Sequence, residues 1–336
     1  MKIDSSLMFE PAKVGPMAAS LEEAGYDGAY TFEGQSDPFI SVAAAAMSTQ
    51  RMELMTSIAV AFSRNPMTLA YLGNDLQNLS EGRFILGLGA QVKAHIERRF
   101  SMPWSKPAAR MREMVLAIQA IWESWQTGER LRFEGEFYQH TLMSPIFSPG
   151  PNTYGVPKIY IAGVGPLMTE VAAEVGDGYF LHPFNTATSM EELSMAAIDR
   201  GLEKAGKKRE DYCVSAQVVT ATGLDEQSID MAIASARNQI AFYASTPAYL
   251  PVLKCHGWDD LQVEANKLIK EGKWMELPHL IDDDILKTFA VVGTTTEVAQ
   301  QIATRYKGKV DRISPVVYQP DVPLLIELRG KMAAVL

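Results

Sequence analysis

The chain has 336 residues, 47% of them hydrophobic and 21% charged, with a net charge of −9. That length suits one α/β barrel or two ordinary domains, and the balance is that of a soluble globular chain. The acidic total argues against general nucleic-acid binding, and no apolar run is long enough to cross a bilayer.

In chain order, apolar strand-like runs fall near 2–9, 28–33, 53–61, 84–89, 157–163, 178–183, 213–221 and 311–318. Helical patterns separate them. The first runs from Val14 to Ala24, with Val14, Met17, Ala18 and Leu21 on one face. Others lie near 37–49, 66–79, 105–127, 166–176, 189–206, 225–243 and 295–306, and a short helix follows Pro320. Eight strands alternating with eight helices predict a (β/α)8 TIM barrel, here a single domain over 1–336. An open doubly wound sheet would carry a Gly-x-Gly-x-x-Gly turn after its first strand, where this chain has Phe9-Glu10-Pro11-Ala12. Gly25-Tyr26-Asp27-Gly28 is echoed by Gly176-Asp177-Gly178, four units later, as in a barrel of two related halves.

Two stretches break the alternation. Residues 128–156 hold a hairpin-like Phe133–Tyr138 and a Pro/Gly-rich loop; residues 223–290 are mostly helical. Both are expected as insertions at the C-terminal face, the second as a lid. The start of the chain lies almost on a strand, without a signal-peptide h-region, so a cytoplasmic location is expected. Cys213 and Cys255 form neither a disulfide nor a metal pattern.

Residues 52–91 carry the strongest local signal. Met52–Val60 reads as a buried strand, Asn65-Pro66 starts a helix, and Phe84-Ile85-Leu86-Gly87-Leu88-Gly89 is a second buried strand. Ligands of parallel α/β proteins bind at strand C-termini. Glu10, Glu33, Gln35, Asp37, Ser57, Ser63, Arg64, Asn65, Gln91, His95, His182, Asn185, Tyr318 and Gln319 collect there. Glu33 is a candidate acid or base, or else a rim ion pair with Arg64; His182 is a candidate proton-transfer group. Ala162-Gly163-Val164-Gly165 opens a helix, so it is either an anion seat or a plain tight turn. Basic residues gather at Lys93, Arg98, Arg99, Lys106, Arg110 and Arg112, as a salt-bridged helix face or a landing strip for an anion. No metal-binding spacing and no Gly-x-Ser-x-Gly elbow occur. A polar site rich in small residues and without a nucleophile suits an enzyme whose cofactor does the chemistry.

The chain resembles the bacterial-luciferase-like superfamily of TIM-barrel oxidoreductases, and within it the branch that uses coenzyme F420. The resemblance rests on Glu22-Glu23-Ala24-Gly25-Tyr26-Asp27-Gly28, Asp37-Pro38-Phe39, Thr56-Ser57-Ile58-Ala59-Val60 with Asn65-Pro66, Leu79 through Gly89, and Ala162 through Pro166. It implies a non-prolyl cis peptide at Ser57-Ile58 behind the deazaflavin ring. It also places the cofactor's phosphate near Gly89, Ala90 and Gln91 and near Gly163, Val164 and Gly165; His95 and Ala162, read from their places after strands four and five, are further cofactor-contact candidates. The implied activity is hydride transfer between F420 and a small organic substrate, in a homodimer, with Glu33, Gln35 and His182 as catalytic candidates. Several relatives carry a His beside Asp after strand two. This chain has Glu33-Gly34-Gln35-Ser36-Asp37-Pro38 instead, so that His has no counterpart. An FMN-dependent monooxygenase and a non-catalytic relative are the alternatives.

Overall fold

The structure, a computed structural model, describes every residue except Met8, Phe9 and Gln319. Among the described residues, eight parallel strands close into a ring, so the predicted (β/α)8 barrel is the observed architecture. They are β1 (Lys2–Ser6), β2 (Gly28–Thr31), β3 (Glu53–Thr56), β4 (Phe84–Gly89), β5 (Lys158–Gly163), β6 (Gly178–Leu181), β7 (Cys213–Ala221) and β8 (Arg312–Val316). Each pairs with the next, and β8 closes on β1 with Arg312 opposite Lys2.

Two local rules in the sequence explain the ring. The echoed aspartates are clamps between neighbouring strands. Asp27 Oδ2 accepts from Ile3 N at 2.8 Å, and Asp177 Oδ2 accepts from Ile159 N at 2.8 Å. Asp311 repeats the device on Val214 N at 2.8 Å. The second rule is a glycine. A Cβ at Gly87 would stand 1.7 Å from the Thr56 carbonyl oxygen, so β3 and β4 approach only with glycine there. The Thr56 hydroxyl fills the gap, donating to Gly87 O at 2.8 Å and accepting from Gly87 N at 2.9 Å.

The expected strand 53–61 is therefore not continuous. It stops at Thr56, the Ser57–Ile58 peptide is cis, and Ala59–Val60 resumes as a short strand on β4. Another short strand, Ala290–Val292, pairs with the end of β7 and went unpredicted, because three residues carry no periodicity. The expected end of the first strand at Phe9 and the site candidate Gln319 lie outside the described residues.

The lumen is layered. At the N-terminal end, Arg312 is buried with Asp4: Nε and Nη2 reach the two carboxylate oxygens at 2.7 and 2.6 Å, and Nη1 meets Glu53. Above it, Tyr30, Met55, Ile85, Tyr160 and Phe180 fill the barrel. The larger core lies between strands and outer helices, where Leu54, Leu86, Ile121 and Trp125 are buried.

The insertion between β7 and β8 is a packed helical layer. Helices Glu226–Ala244, Asp259–Lys270 and Asp283–Phe289 share a cluster including Ile240, Leu253, Leu268 and Phe289, continuous with Phe184 and Val219 of the barrel. The helix Thr295–Tyr306 then leads to β8. The other insertion holds the expected hairpin, with Phe133–Glu134 paired to Gln139–His140. No helix of the described residues is long and apolar enough to cross a membrane.

Candidate active site

The C-terminal mouth is built on the break in β3. Glu33 N donates to Ile58 O at 3.0 Å and Ser57 N to Thr31 O at 2.7 Å, which ties the break to β2. The Glu33 side chain holds it from outside. Its Oε2 accepts from Val60 N at 2.8 Å and from Arg64 Nη1 at 2.6 Å, while Arg64 Nη2 reaches Asp37 at 2.7 Å. Both Glu33 and Arg64 are largely buried, so the ion-pair reading of Glu33 matches the geometry. Gln35 stands exposed on the same loop.

Ile58 is half-buried and turned toward β4, where a Cβ on Gly89 would come within 2.7 Å of its Cγ1. Gly89 itself is buried and makes room for Ile58. After it, Ala90 and Gln91 are half-buried; Gln91 takes a left-handed φ of 59° and caps Val92 N through Oε1 at 2.9 Å. His95 is exposed on the short helix Lys93–Arg98.

Beside β4, the half-buried Ala162, Gly163, Val164 and Gly165 bring β5 to the helix Pro166–Val175. Its N-cap, Gly165, has no side chain to satisfy the first-turn N–H groups. A Cβ at Gly165 would meet nothing within 4 Å, so backbone and helix N-terminus are open to a ligand. Below, the Tyr179 hydroxyl donates to Gly163 O and fixes the loop.

The far wall comes from β6 and the insertion. His182 Nδ1 accepts from Phe184 N at 3.0 Å, and Nε2 lies 3.2 Å from the Tyr249 hydroxyl. The first bond requires an unprotonated Nδ1, so the neutral ring carries its proton on Nε2. Tyr243 and Tyr249 pack against the ring at 4.8 Å each. Although the residue as a whole keeps some exposure, burial pushes the His182 pKa down to about 3, and the Tyr243 hydroxyl up to about 12. His182 is thus a neutral group bonded on both sides.

The basic run 93–112 does not form one surface. Arg110 is buried, lies 4.6 Å over the Phe62 ring, and bonds Pro103 O at 2.6 Å. Lys106 pairs with Glu136 at 2.7 Å, Arg112 with Glu174 at 2.7 Å, and Arg99 reaches Gly34 O at 3.1 Å. Among the described residues Arg98 has no ion-pair partner, and Lys93 stands 3.8 Å from Glu97. No group of three His, Cys, Asp or Glu converges among the described residues.

Two parts of the mouth escape sequence reasoning. Gln217, the one amide side chain in the run Val214–Ala221, donates from Nε2 to Ser57 Oγ at 2.9 Å. Its type was the available signal. Tyr243 and Tyr249 come from the insertion, and nothing local says that they face His182.

Comparison with known proteins agrees with this geometry. A family model described as luciferase-like monooxygenase matches residues 4–312. An uncharacterised protein of Mycobacterium tuberculosis is 48% identical over 316 residues, covering 94% of this chain and 93% of that one. A 5,10-methylenetetrahydromethanopterin reductase of Archaeoglobus fulgidus is 29% identical over 324 residues, covering 92% and 91%. The solved coenzyme F420 dependent tetrahydromethanopterin reductase of Methanopyrus kandleri superposes with a TM-score of 0.80 at 22% identity, covering 98% and 97%; at that identity it speaks for the fold.

Proposed function

Because the chain belongs to the luciferase-like monooxygenase family, we propose that it is an oxidoreductase that binds coenzyme F420 at the mouth and exchanges a hydride with a small organic substrate. The observation that carries this reading is the side-chain-poor Ala162–Gly165 loop, with its uncapped helix N-terminus, on the strand next to β4 and Ile58. Free N–H groups suit a phosphate. A half-buried aliphatic side chain suits the face of a planar ring. A putative coenzyme F420-dependent oxidoreductase of Mycobacterium tuberculosis, 29% identical over 312 residues and covering 87% of each chain, supports the cofactor class.

When bound, the deazaflavin supplies the hydride chemistry. The protein binds and orients it. The amides of residues 163–168 hold the phosphate, with Pro166 contributing none. Ile58 backs the ring, and Glu33 with Arg64 keeps Ile58 in place as positioning residues. The neutral His182, bonded to Tyr249, closes the far wall and excludes water.

Titration with F420 and with FMN, followed by absorbance and fluorescence, tests the proposal. F420 is expected to bind and FMN to bind at least tenfold more weakly. Gly165→Asp, which places a carboxylate at the helix N-terminus, is expected to weaken F420 binding at least tenfold. FMN binding in preference to F420 would replace this reading with the flavin one. Binding of neither would support a non-catalytic relative.

A further inference from the structure

β3 and β7 are four strands apart in a ring of eight, so Ser57 and Gln217 face each other across the lumen. Their 2.9 Å hydrogen bond closes it at that level, above the plug of Tyr30, Met55, Ile85, Tyr160 and Phe180. Gln217 is half-buried.

A primary amide has two N–H donors and one carbonyl acceptor. One Nε2 hydrogen is spent on Ser57. The other Nε2 hydrogen and Oε1 remain, and among the described residues neither has a hydrogen-bond partner. Side by side, they form a donor–acceptor pair. The complement is a cyclic imide edge, in which a ring N–H stands next to a ring carbonyl. The pyrimidinedione end of a deazaflavin or flavin has that edge. We propose that Gln217 reads it: Oε1 accepts from the ring N–H, and the free Nε2 hydrogen donates to the adjacent ring carbonyl. Ser57 is the positioning residue that fixes the amide plane. The inference rests on the proposed function and assigns one specificity-determining contact within it.

The probes are 5-deazariboflavin and its derivative methylated on the imide nitrogen, titrated by fluorescence against wild type, Gln217→Met and Ser57→Ala. Methionine keeps the volume of glutamine and removes both hydrogen-bonding groups. Wild type is expected to lose at least tenfold in affinity on methylation. Gln217→Met is expected to bind the parent at least tenfold more weakly and to show no methylation penalty. Ser57→Ala is expected to show a reduced penalty, which keeps the test decisive should Gln217→Met not fold. Equal binding of both probes by wild type, or an undiminished penalty in the variants, would overturn the inference while leaving F420 binding intact. Failure of wild type to bind F420 or the parent probe would overturn the cofactor reading as well.

Discussion

His182 carries two opposed signals, a type suited to proton transfer and surroundings that keep it neutral. Burial among Phe184, Tyr243 and Tyr249 disfavours the charged ring, and the Phe184 N–H occupies Nδ1. Its folded pKa is about 3, below the 6.5 of the free side chain. The unfolded chain therefore binds the extra proton first. Its contribution to stability is complete above pH 6.5 and is lost progressively as pH falls toward 3. The slope approaches about 1.4 kcal/mol per pH unit as an upper bound, because the residue keeps some exposure. Urea unfolding of His182→Phe between pH 6.5 and 4.5 should give a flatter profile than wild type, from a lower starting stability. Equal slopes would place the acid-sensitive group elsewhere.

At the scale of elements, the break in β3 depends on long-range partners. Arg64, from the loop before the helix Pro66–Leu79, holds the Glu33 carboxylate and Asp37 together. Among the described residues, Arg64→Met would leave the largely buried Glu33 carboxylate with only the Val60 N–H. We expect a loss of about 1–3 kcal/mol in urea unfolding, the usual cost of stranding a buried polar partner. F420 affinity should fall with it, because Ile58 loses its support. Glu33→Gln, which can still accept from Val60, should cost less. Arg64→Met with full stability and full F420 affinity would show that the clasp does not position the mouth. The neighbouring Arg83 makes a similar tie, bonding Met52 O at 2.7 Å and Thr49 O at 2.9 Å beyond the helix Pro38–Ala46. Its place in the Ser80-Glu81-Gly82-Arg83 motif is therefore structural.

For the whole molecule, the N-terminal end of the barrel is closed by an ion pair. Arg312 is 2% exposed and Asp4 1%. Two charges are kept out of water there only because each satisfies the other. Asp4→Asn removes the buried negative charge facing the guanidinium, keeping one amide oxygen as acceptor, and should cost about 3 kcal/mol or more, read as a lower urea midpoint at unchanged slope. F420 affinity should be unchanged, because the pair lies at the opposite end of the barrel. A variant as stable as wild type would mean that Glu53 suffices.

The chain by itself determined the barrel. Apolar strands at regular spacing need helices to cover them, and eight such units close on themselves. It pointed to the C-terminal face for the candidate site, since polar and small residues collect where those strands end. The Gly-x-Asp-Gly echo was legible as a repeat, and its meaning, a carboxylate bonding the strand before, is a local fact. Tertiary structure alone decided which candidates share a surface. Arg110 belongs to a basic run in sequence, yet Phe62 and Tyr138 enclose it. Gly89 serves Ile58 from another strand. Gln217 meets Ser57 only because 160 residues of chain bring opposite strands of a closed ring face to face. Periodicity records which way a side chain points from its own strand; what stands opposite is set by closure of the ring, and no local pattern contains that.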